Sequence, residues 1–171
     1  MLLTKIKKVV YVFVCSLIAM SMMFFSGCGQ ILDTVMGVIT ADTTGVIEFY
    51  NLVVESQECL DDLADDIYTY WRNAIYNGAY DNDIDKAVSA AFSDNTGNLK
   101  IIAENEPEIK SVYKKIRNSK YEEEIKAVMT AYTNYYELVV NVSGSFADFS
   151  ANKQNLKKEL GGSLKRLALE I

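Results

Sequence analysis

The sequence predicts an all-α protein, an antiparallel bundle of about four helices with a long N-terminal helix. Three observations carry that prediction. Counting by sevens from Leu32 gives Ile39, Val46, Val53, Leu60, Ile67 and Ala74, all apolar. From Tyr121, the residues Ile125, Val128, Tyr132, Tyr135, Val139, Val142, Phe146 and Phe149 follow at steps of four and three. Proline occurs once, at position 107, and strand-like alternation is confined to short ambiguous apolar runs. Steps of three and four return to one face of a helix, and a face kept apolar over this length needs partner helices to cover it.

The chain begins with a different element. Lys5, Lys7 and Lys8 form a basic head, Val9 to Phe25 carries no charge, and Ser26-Gly27 leads into Cys28. A basic head, an apolar middle and a small-residue end make an export signal. Phe25-Ser26-Gly27-Cys28 resembles the lipobox of bacterial lipoproteins, and departs from it where the family usually has Leu in place of Phe25. The resemblance implies cleavage between Gly27 and Cys28, and a lipid carrying acyl chains such as palmitate on the Cys28 sulfur. It would place the rest of the protein on the extracytoplasmic side of the cell membrane, held there by that lipid. An uncleaved transmembrane helix is the alternative, since the run reaches the lower limit of about 17 residues. That alternative gives no reason for Ser-Gly-Cys at the end of the run. In both cases the lysines stay inside and the chain after Cys28 lies outside. The division is then 1–27 signal peptide, 28–30 anchor and minimal linker, and 31–171 helical bundle domain.

Loss of the three signal lysines leaves 14 basic residues against 23 acidic ones, and takes the formal charge from −6 to −9. An acidic body repels nucleic acid, so DNA or RNA is not an expected partner. Histidine is absent, which removes the commonest general base and the commonest transition-metal ligand. Cys15 falls in the signal and Cys28 takes the lipid, which leaves Cys59 alone in the mature chain. An exported domain without an internal disulfide relies on its apolar core, and Cys59 reads as a packing residue there.

The remaining elements follow in order. The stripe over residues 31–77 predicts one helix or two nearly collinear ones, about 70 Å in all. Gly37 and Gly45 each weaken it by about 1 kcal/mol relative to Ala, and Ala41–Gly45 is the expected break. Asn77-Gly78 ends the helix on a left-handed glycine. Tyr80 to Asp83 is a turn, and Asp83 caps a helix carrying Ile84, Ala87, Val88, Ala91 and Phe92. Ser93 to Asn98 interrupts, a short helix runs from about Leu99 to Glu104, and Pro107 opens the first turn of another that buries Ile109, Val112, Tyr113 and Ile116. Ser143-Gly144-Ser145 falls inside the seam that starts at Tyr121, and a glycine between serines favours a corner there over a kink. Leu156, Leu160, Leu164 and Leu167 line the last helix, with Gly161-Gly162 as a weak point. Trp71-Arg72-Asn73-Ala74-Ile75-Tyr76-Asn77, with Ser143-Gly144-Ser145-Phe146 and Phe149-Ser150, resembles a group of small helical lipoproteins of Gram-positive bacteria. That resemblance implies the fold and the address and no activity.

Candidate chemistry is thin. Asp61, Asp62, Asp65 and Asp66 stand in pairs one helical turn apart and repel by a few tenths of a kcal/mol. Asp-Asp-x-x-Asp resembles the magnesium motif of helical prenyl-chain synthases, which needs a second acidic motif and a longer chain. The four aspartates are therefore a candidate partner or cation surface, with a solvated acidic face as the plainer reading. Asp81, Asp83 and Asp85 imitate the start of a calcium loop, but Lys86 and Phe92 stand where it needs Gly and Glu. Glu122, Glu123 and Glu124 suit the positive end of a helix dipole. The tyrosines, with Trp71, either line a partner groove or fill the core with their hydroxyls at its surface. No catalytic residue, metal ligand or cofactor is assigned. The expected function is a non-enzymatic, membrane-anchored lipoprotein that binds another envelope protein or plays a structural part. The alternative is a small-ligand receptor or sensor with a cleft between helices. A cleft above about 300 Å³ with convergent polar groups favours the ligand, and a large exposed apolar patch favours the protein partner.

Overall fold

The structure is a computed structural model and describes residues 32–171, with the backbone alone for residues 32–42. The signal, the Gly27–Cys28 cleavage site and the lipidation of Cys28 lie outside the described residues. Those residues form five α-helices and no strand: α1 (Leu32–Asn77), α2 (Ile84–Asp94), α3 (Thr96–Ile116), α4 (Glu122–Val140) and α5 (Phe146–Glu170). The chain divides into a unit up to Thr40 and a compact body, Ala41–Ile171. Among the described residues no helix is long and apolar enough to cross a membrane.

The heptad stripe on α1 is the centre of the core. Val46, Val53, Leu60, Ile67 and Ala74 are all fully buried, together with Phe49, Leu63 and Ala64 between them. Contacts along α1 fix the sense of its neighbours. Asn95, just before α3, reaches Asp66, while on α3 Asn105 reaches Glu55 and Tyr113 packs on Phe49, so α3 runs against α1. On α5, Phe149 packs on Trp71, Lys153 meets Asp65 and Lys157 meets Asp61, so α5 also runs against α1. Tyr135 of α4 donates to Asp61 at 2.7 Å, and Tyr132, one turn earlier, stands by Ser56, so α4 runs with α1. Asp61 thus meets α4 and α5 at one level, and the chain reverses between Val140 and Phe146. Gly144 sits in that corner at φ +85°, and Ser145 caps α5 by accepting from the Asp148 amide at 3.1 Å.

Three expected boundaries are corrected. The break at Ala41–Gly45 is absent, because α1 runs without interruption to Asn77. Gly45 is there for space: a Cβ on it would lie 2.8 Å from Ile116 Cγ2. The separate helix opening at Pro107 is also absent, since Pro107 lies inside α3. Its ring costs the Ala103 carbonyl a donor, but Ala103 and Pro107 both face solvent, where water can take that bond. Burial of Ile102, Ile109 and Val112 on the opposite face carries the helix through. The long interruption at Ser93–Asn98 shrinks to Asn95, which is 7% exposed and satisfies its amide on Ala91 O and Asp66.

The link from α1 to α2 has a conformation that turn propensities do not foresee. Gly78 ends α1 at φ +68°, and Tyr80, Asp81 and Asn82 all follow with φ between 55° and 60°. Three successive non-glycine residues in the left-handed region are strained, by about 1 kcal/mol or more each. Asp83 then caps α2, accepting from the Lys86 amide at 3.0 Å, as expected. Lys86 returns its ammonium to Asp81 at 3.0 Å and to Asp83 at 4.0 Å, which ties the left-handed segment to the helix it precedes.

Candidate functional site

The four aspartates do not form one surface. Asp61 is half-buried, accepts from the Tyr135 hydroxyl and pairs with Lys157 at 3.1 Å. Asp65 meets the ammonium of Lys153, a lysine only 5% exposed whose Nζ also lies 4.7 Å over the Tyr68 ring. Asp66 accepts from the Asn95 amide at 2.8 Å. Asp62 is exposed and, among the described residues, has no partner. Three of the four thus carry contacts to neighbouring elements, Asp65 while its own side chain stays 62% exposed. Among the described residues no group of three or more acidic or cysteine side chains is placed to hold a metal ion.

The tyrosines divide as well. Tyr135 is fully buried, and burial followed by its bond to Asp61 pushes its hydroxyl well above the usual tyrosine range. Tyr132 is pushed up by burial first, with Ser56 acting the other way. Its hydroxyl and that of Ser56 are both buried, yet neither makes a hydrogen bond of sound geometry. Tyr70 donates to Asp94 at 2.7 Å and is pushed up to about 12, that bond being the main cause. Cys59 is 7% exposed, and burial, followed by the charge of Glu55, pushes its thiol up, away from reactivity.

A cleft of about 470 Å³ opens where the C-terminal part of α1, helix α2 and the α4–α5 corner meet. Trp71, Ile84, Val88 and Val142 supply its apolar wall, and Asp85, Ser89, Ser143 and Gly144 its polar one. Trp71 is held rigidly, 6% exposed, by Phe146 and Phe149 at ring distances of 5.8 and 5.7 Å. Among the described residues its indole N–H, the Asp85 carboxylate and the Ser89 and Ser143 hydroxyls have no partner. The strained segment before α2 positions Ile84 and Asp85, and the left-handed Gly144 positions Ser143. The sequence singled out Trp71, Asp85 and Ser143-Gly144 for separate reasons. Nothing in their spacing announced that they meet, because the meeting depends on where α2 lies. Ser89 gave no signal. Lys153, Asn95 and Asn105, which organise the polar contacts of α1, were also missed, since a polar residue on a mostly polar helix looks solvated until its neighbour is known.

Comparison with protein-family models, with curated proteins and with solved structures returns no match to this chain.

Proposed function

We propose that the protein is a lipid-anchored, extracytoplasmic lipoprotein whose body is an antiparallel up-down-up-down bundle of α1, α3, α4 and α5, with α2 at its side. It works without catalysis, binding another protein at the cell envelope or serving there as a structural part. The observation that carries the address is Phe25-Ser26-Gly27-Cys28 at the end of an uncharged run behind three lysines. Supporting the bundle are the alternating senses in which α3, α4 and α5 meet α1. Two acyl chains hold a protein firmly at a bilayer where one does not, and the body then needs no spanning helix. Cys28→Ala tests the anchor: fatty-acid labelling is lost and the precursor stays uncut. Unchanged labelling and processing would remove the lipoprotein reading.

The second reading is a small-ligand receptor, and the cleft beside Trp71 favours it. About 470 Å³ falls within the range of ligand sites, and unpartnered polar groups stand along one side of an apolar wall. Among the described residues the large exposed apolar side chains are, by contrast, few: Ile47, Ile75, Tyr76, Leu169 and Ile171.

A further inference from the structure

We propose that the cleft beside Trp71 binds a small organic cation, an ammonium group on a compact body that also carries a hydroxyl or carbonyl. The inference rests on the ligand-receptor reading and names its ligand class. Among the described residues Asp85 is the only charged one in the lining, and it has no partner. The neighbouring cation, Lys86, is already engaged by Asp81 and Asp83. Asp85 is solvent-exposed at the polar side of the cleft, and a carboxylate there selects for positive charge and against anions. Ile84 and Val88 cover the carbon skeleton of such a ligand. The Ser89 and Ser143 hydroxyls and the Trp71 indole N–H offer partners for its neutral polar group. An acidic body of formal charge −9 after signal removal adds to the attraction. The left-handed run at Tyr80–Asn82 acquires a role here, since it sets α2 where Asp85 faces the cleft.

Trp71 is the chain's single tryptophan, so its emission reports on this cleft alone. The lipidated chain in non-ionic detergent is titrated with choline, with sodium chloride at matched ionic strength as reference, and with maltose and acetate as neutral and anionic probes. Choline should change the emission saturably, with a midpoint on the order of millimolar or below. Asp85→Asn should weaken that midpoint by about tenfold and lower the melting temperature only slightly, because among the described residues the Asp85 side chain bonds to nothing and loses only its place in the first turn of α2. A saturable response to maltose or acetate and none to choline would leave the ligand reading standing and overturn the cation. No response to any probe would overturn both, and a choline response indifferent to Asp85→Asn would overturn the assignment to this carboxylate.

Discussion

Glycine shows how much a single position depends on what lies above it. Gly45 and Gly162 both sit inside helices, where Ala is favoured by about 1 kcal/mol. A Cβ on Gly162 would meet nothing within 4 Å, whereas one on Gly45 would lie 2.8 Å from the branched, 5% exposed side chain of Ile116. Gly162→Ala should therefore raise the stability to denaturant by about 0.5–1 kcal/mol, and Gly45→Ala should forfeit that gain or lose stability outright. Equal gains at both sites would mean that α1 and α3 do not touch there. The tyrosines give a pH test at the same scale. Each raised hydroxyl favours the neutral form in the folded chain. The stability it contributes is complete below the ordinary tyrosine value of 10.0 and is lost as pH rises through the folded value, about 12 for Tyr70. Phenolate absorbance should show Tyr132 and Tyr135 ionising only as helicity is lost, and Asp94→Asn should bring Tyr70 down. Tyr132→Phe should cost little or stabilise, because its buried hydroxyl has no partner.

At the scale of the element, the acids of α1 add contacts to its neighbours along the edge of an apolar core. Asp65→Asn would leave the Lys153 ammonium, 5% exposed, without its counter-charge. Removing one member of a buried pair costs about 3–5 kcal/mol when both members are buried. Asp65 is itself 62% exposed, so about 1–2 kcal/mol is expected. Asp62→Asn, with no partner to lose, should leave the denaturation midpoint where it is. A midpoint indifferent to both changes would return the aspartates to a solvated face. Much of each element was legible in the sequence, because burial leaves a period. The stripe from Leu32 gave α1, and the steps of four and three from Tyr121 gave α4. What failed was local punctuation. Pro107 and the Ser93–Asn98 turn residues are strong breakers in isolation, yet core contacts of Ile102 and Ile109 override the first and Asn95 absorbs the second. The partners of Asp61, Asp65 and Asp66 left no trace at all, since a polar contact between helices imposes no spacing on either.

At the scale of the whole molecule, the buried seams of α1 and α4 meet in one core, with Leu60, Leu63, Tyr132 and Tyr135 all fully or almost fully buried. A core shared by helices this far apart in sequence makes their folding a single event. Helix α2 depends on it too, since its buried face is only Ala87 and Ala91 and it is tied to α1 through Tyr70–Asp94. Leu60→Asp places an unpaired charge at 0% exposure, a burden of several kcal/mol against a total stability of about 5–15 kcal/mol. The full chain carrying this change should lose helical circular dichroism as a whole, with no residual step for α4 and α5. Wild type should melt in one transition, seen alike by helicity and by Trp71 emission. If instead the change abolished the Trp71 signal while α4 and α5 kept their helicity, the seam of α4 would be closed by α5 alone. The α1 stripe would then be covered by something other than the rest of this chain, and the four-helix arrangement would have to be given up.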